Sequence, residues 1–179
     1  MTASDYVTIA ERKERLNKLA ADLNKLLKTH LSKPRTLDIV ILKCHLMVEF
    51  MFNQYIDIIA PTEGIIESER FTFKQKQTLL HLLGFPADPL FMPSIDIINK
   101  LRNQVAHTLA IDRNTIDNLI RLNADEPKQA RNLTDAQRAT WLKHITKFIC
   151  WMILGAIEAK HESEWIDGTV EQSASGNAE

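Results

Sequence analysis

Glycine and proline are scarce in this chain, with five of one and six of the other in 179 residues. Breakers this few and this widely spaced do not mark out the many short strands of a sandwich or barrel; they favour long helices. Glycine-rich phosphate loops and Gly-x-Ser-x-Gly elbows are missing, so the sequence gives no support to a P-loop nucleotidase or a nucleophile-elbow hydrolase. The two cysteines, Cys44 and Cys150, sit inside apolar helical patterns without a partner at metal-ligand spacing. Each reads as a small buried hydrophobe in a reducing compartment, not as part of a disulfide framework. No uninterrupted apolar run has the length of a membrane span, and the opening MTASDYVTIAERKERL is polar where a signal peptide is apolar. The expectation is a cytoplasmic protein with no membrane partner.

What is present is 45% hydrophobic sequence, enough at this length for one sizeable core without metals or disulfides. The net charge of −1 hides an uneven spread. Residues 1–43 hold nine Lys/Arg against five acids, a balance of +4, while from Glu158 onward six acids face one base, a balance of −5. The body of the chain is therefore mildly basic, which permits phosphate contacts without demanding them.

Taken in order, Leu16, Leu19, Leu23, Leu26, Leu27 and Leu31 follow a three-four rhythm and predict an amphipathic first helix from about Tyr6 to His30. Ser32-Lys33-Pro34 ends it, and Pro34 is suited to the first turn of the next helix. The second helix, about Arg35 to Ala60, is apolar on almost every side and should be the central strut. Against that background His45, Glu49 and Asn53 form one polar line at steps of four. Buried polar groups are costly unless paired or facing a cleft, so either Glu49 meets a cation or amide and His45 is a satisfied core histidine, or both serve a site. Phe71, Leu79, Leu80, Leu82 and Leu83 predict a third helix stopped at Gly84; His81 within it reads as packing, not chemistry. A proline-rich turn follows, with Ser94 or its predecessors capping the next helix. Asp112 caps a short helix to about Leu122, and 123–132 is an exposed loop. Thr134 and Gln137 then form a capping box opening a last long helix whose core face is Trp141, Ile145, Phe148, Met152 and Ile157. The reading is an all-α bundle of about five to six helices, with long first, second and last helices. One domain spans 1–164, and 165–179 is a disordered acidic tail.

The stretch that stands out is SIDIINKLRNQVAHTL, residues 94–109. Ile95, Ile98, Leu101 and Val105 make its core stripe. Asn99, Asn103 and His107 make a second stripe at steps of four, with Arg102 between the two, so an amide, a guanidinium and an imidazole share one edge. A long apolar helix with an internal acid, Glu49, followed by a helix carrying Arg102-Asn103-x-x-x-His107, resembles the HEPN superfamily of all-α domains. The resemblance covers about Leu37 to Ala159. It implies a metal-independent endoribonuclease in which His107 is acid/base, Arg102 a phosphate clamp and Asn103 an orienting or substrate-binding group, supported by Glu49, Asn99 and His45. Five positions along a helix turn a side chain by about 140°, so one copy of Arg102 and His107 does not converge. Family likeness implies a homodimer that brings two copies of the motif into one cleft, with RNA as substrate. It also brings a toxin–antitoxin or defence setting with an antitoxin or other protein partner, although Leu109 stands where antitoxin-paired members carry Tyr.

The chemistry is coherent without a metal. Histidine titrates near neutrality and can take the proton of a ribose 2′-hydroxyl, and arginine holds phosphate and counters charge in the transition state. The alternative is a non-catalytic binding or regulatory module of the same fold, holding a protein or nucleic-acid partner. A carboxylate-bridged metal site is weaker: His45/Glu49 and Glu158-x-x-His161 supply the residue types, but di-metal bundles use two Glu-x-x-His pairs plus two more Glu. No metal and no cofactor are expected.

Overall fold

The computed structural model describes residues 9–33, 36–61, 64, 66, 70–86, 91–108, 111–124 and 132–175, with side-chain burial to residue 160. Among the described residues there are six helices: α1 (Ile9–Leu31), α2 (Leu37–Ile59), α3 (Phe73–Leu82), α4 (Phe91–Thr108), α5 (Arg113–Asn123) and α6 (Asp135–Ser175). No strand occurs among the described residues. The expected all-α bundle with long first, second and last helices is what forms. The expected start at Tyr6, the role of Pro34, Leu109 and most of the 123–132 loop lie outside the described residues.

The bundle is built around α2 because that helix is apolar through most of its circumference. Val40, Ile41, Cys44, Val48, Phe52 and Ile56 are among its buried side chains. By length and composition α2 is apolar enough to cross a membrane, yet more than half of its most apolar stretch is buried inside the bundle, as a core helix must be. Helix α6 runs parallel to it, with the Cys150 thiol 3.8 Å from the Met47 carbonyl and Thr146 beside Cys44. Burial pushes both thiols up to about 12, so they behave as the apolar residues they were read to be. Helix α1 runs antiparallel on one flank, burying Leu19, Leu23, Leu27 and Leu31. Of its C-terminal carbonyls, which no helix satisfies internally, His30 O accepts from Lys43 Nζ (3.3 Å), and in the turn that follows Lys33 O accepts from Lys143 Nζ (3.1 Å).

On the other flank α4 runs antiparallel to α2. Tyr55, Phe85 and Phe91 form a chain of rings at one end, with centroids 5.2 and 5.1 Å apart, and Asn99 lies opposite His45. Short α3 fills the space between, opened by a capping box in which Thr72 and Gln75 bond reciprocally. It stops at Gly84, whose φ of +80° suits a residue without Cβ. Helix α5 is capped by Asp112, which accepts from Asn114 N at 3.0 Å, and is tied to α6 by a buried fork: Arg138 Nε and Nη2 each donate to Asp117 at 2.8 Å. Thr134 and Gln137 form the expected capping box of α6.

Two boundaries and one helix face differ from the sequence reading. Helix α4 begins at Phe91, before Ser94, because Pro93 falls in the first turn, where its missing N–H is no loss. Helix α6 continues to Ser175, past the boundary drawn at 164. No proline interrupts it, and extending a formed helix costs far less than starting one. Its core face is also rotated from the expected one. Ile145 and Ile157 are buried, with Leu142, Ile149 and Ile153, but Phe148 is 57% and Met152 42% exposed. Helix α6 is apolar over a wider arc than its neighbours cover, since α5 ends at Asn123. Phe148 and Met152 therefore line an open groove of about 480 Å³ with Phe91, Leu122 and Trp141.

Candidate functional site

Steps of four on α2 carry His45 and Glu49 to the side that faces α3 and α4. His45 is 4% exposed, and its Nε2 lies 3.3 Å from Asn99 Oδ1 on α4. With the Asn99 carbonyl as acceptor, Nε2 carries the proton. Nδ1 then looks toward Glu49 Oε2 at 3.8 Å, too far for a hydrogen bond. Phe73 covers the imidazole, ring centroids 4.5 Å apart. Burial pushes the His45 pKa below its ordinary value, and Arg102 and Lys76 push the same way, against Glu49 and Asn99. The imidazole is therefore held neutral.

Glu49 is satisfied by Lys76 of α3, whose ammonium donates to Oε1 at 2.7 Å. The lysine is the more deeply buried partner, its side chain 10% exposed against 28% for Glu49. One turn along α4, Asp96 accepts from Gln77 Nε2 (3.1 Å) and Lys74 Nζ (3.3 Å), knitting α3 to α4. Asn53, the last member of the α2 line, takes no part: its Oδ1 is buried without a hydrogen-bond partner.

The three residues expected to do chemistry sit further along α4. Arg102 is half-buried and turned toward α2, close enough to His45 to influence its titration. Its Nη1 donates to Asn103 Oδ1 at 3.0 Å, and no carboxylate pairs with it among the described residues. Asn103 and His107 are exposed, one turn apart, with His107 in the last turn of α4. The structure thus joins His45, Glu49 and Asn99 into one network and Arg102 to Asn103, and leaves His107 outside both.

Lys76, Phe73 and Gln77 belong to the network but were not singled out in the sequence. A lysine two residues from another, in a short helix with only four buried side chains, carries no periodic mark of burial. The capping pattern Thr72-x-x-Gln75 was the available signal, since it fixes where α3 starts and hence which face Lys76 takes. The His45–Glu49 pair, weighed as one half of a metal site and set aside, is taken up by Asn99 and Lys76, and the side chain of His161 lies outside the described residues. Chemically, the inner network spends Asn99 on the His45 imidazole and Lys76 on the Glu49 carboxylate. The outer edge of α4 is different: it offers a guanidinium bonded to a neutral amide, so its charge remains uncompensated for an incoming anion. No family model, curated protein or solved structure matches this chain.

Proposed function

We propose that the protein is a metal-independent endoribonuclease of HEPN type, acting as a homodimer through the outer edge of α4. The observation that carries this reading is the state of Arg102: half-buried, steadied by Asn103 at 3.0 Å and paired with no carboxylate among the described residues. An arginine used for stability is normally spent on an acid, as Arg138 is on Asp117 here. Arg102 keeps its charge at the margin of a solvated surface that also carries Asn103 and His107. There a phosphodiester would meet a guanidinium for its charge and an imidazole for its 2′-hydroxyl proton. The network of His45, Glu49, Asn99 and Lys76 fixes α4 against α2 and α3 and so holds that edge rigid. Because Arg102 turns inward and His107 outward, the reading requires two copies, Arg102 of one facing His107 of the other.

The test is cleavage of mixed cellular RNA in EDTA, with product ends characterised. Wild type should leave 2′,3′-cyclic phosphate ends, and Arg102→Ala and His107→Ala should both be inactive. A folded dimer that cleaves nothing would leave the second reading, a binding module of the same fold. That reading draws on the same divergence of Arg102 and His107 within one chain.

A further inference from the structure

The two lysines at the end of α1 and the turn after it also mark a corner of the bundle where three helices meet. Lys43 of α2 and Lys143 of α6 both reach the α1–α2 turn, donating to His30 O and Lys33 O. A carbonyl does not neutralise an ammonium, and each ammonium has three donors, so both lysines retain their charge and further N–H groups there. Around them Lys25, Lys28 and Lys33 at the end of α1 and Lys147 on α6 are exposed. Acids are few at this end: α6 has none from 136 to 157. Asp38 is an acid at this end and stays charged, its carboxyl held below the usual range by the Thr36 hydroxyl and the Ile39 amide, so it offsets one of these cations. Asp117 and Asp135 are taken by Arg138 and Arg113. The far end of α6 carries the opposite sign, beginning at Glu158.

The antiparallel run of α4 brings its last turns, with Arg102, Asn103 and His107, to this same end of the bundle. We infer that the α1–α2 turn and the first half of α6 bind the ribose-phosphate backbone of single-stranded RNA and lead it toward the edge of α4. Lys28, Lys33, Lys43, Lys143 and Lys147 are the phosphate contacts. This rests on the ribonuclease reading for the identity of the polyanion, but it assigns binding to residues outside the α4 motif. Contacts of this kind are independent of base sequence and weaken steeply with salt.

The experiment uses the full chain carrying His107→Ala, to prevent turnover, and a fluorescein-labelled single-stranded RNA of mixed sequence. Anisotropy is read from about 25 to 300 mM NaCl. The triple variant Lys28→Gln/Lys33→Gln/Lys147→Gln removes three exposed ammoniums and leaves Lys43 and Lys143 in place. It should weaken binding about tenfold or more at 100 mM salt and flatten the log-log salt slope by about 2. Lys13→Gln/Arg15→Gln/Lys18→Gln, the same charge change on the first half of α1, should shift affinity less than about twofold. Equal losses in both triples, no RNA binding at the lowest salt, or binding to anionic phospholipid vesicles in place of RNA would each overturn the inference. RNA held through these lysines by a protein that never cleaves it would sustain the surface and remove the ribonuclease reading. Cleavage by an otherwise wild-type triple variant at the wild-type rate, with unchanged affinity, would do the reverse.

Discussion

His45 is kept neutral because it is buried beside Phe73 and faces the positive field of Arg102 and Lys76. Its unfolded value is the ordinary 6.5 and its folded value lies lower. Between the two the unfolded chain binds more protons than the native one, so stability falls as pH drops below about 6.5 and is fully present above it. Urea unfolding at pH 5, 6 and 7 should show wild type losing more stability on acidification than His45→Gln; parallel losses would assign the pH dependence elsewhere. Lys76→Met should cost about 1–3 kcal/mol by leaving the Glu49 carboxylate without its partner. Adding Glu49→Gln should recover part of that loss, a coupling that a double-mutant cycle reads directly. At this scale the sequence marked Glu49 and His45 by their anomaly on an apolar helix. It could not name Lys76, because a cation 27 residues away leaves no local pattern.

Helix α6 shows how far periodicity reaches. A three-four rhythm locates the helix and its capping box, but any wide apolar arc contains several such rhythms, and only the neighbours choose among them. Here Leu142, Ile149 and Ile153 are buried, and Phe148 is left at the mouth of the groove. Phe148→Ser is therefore expected to change stability by no more than about 1 kcal/mol, whereas Ile149→Ala, two kinds of loss at once in transfer and cavity, should cost about 2–5 kcal/mol. Denaturant midpoints of the two variants would decide, and the opposite ranking would restore the expected face. The Asp117–Arg138 fork is the strongest link between α5 and α6. Arg138→Met leaves a buried carboxylate and frees the Leu133 carbonyl that Arg138 also holds. A loss of about 3–5 kcal/mol should follow, read as a lowered urea midpoint; a change under about 1 kcal/mol would show that Asp117 finds another partner or takes a proton.

At the scale of the whole molecule the order of helices and the central place of α2 follow from hydrophobic pattern alone, because an all-round apolar helix has nowhere else to go. Which polar residues meet across helices does not follow, since antiparallel α4 and short α3 set those contacts through tertiary register. The same limit applies to the candidate site. Sequence spacing put Asn103 and His107 on one exposed edge and turned Arg102 away from His107, and the structure has that geometry. It is this divergence that makes the dimer part of the account. Arg102→Ala and His107→Ala alter no buried acid pairing, so both should fold, and each alone should be inactive. When the two inactive proteins are mixed and allowed to exchange subunits, half of the dimers are heterodimers. Each of those keeps one of its two Arg102–His107 pairs intact, Arg102 from one copy facing His107 from the other. The measurement is RNA cleavage in EDTA by that mixture. Restoration of about one quarter of wild-type activity is the predicted result, and a mixture as inactive as its components, with wild type active, would contradict the shared cleft.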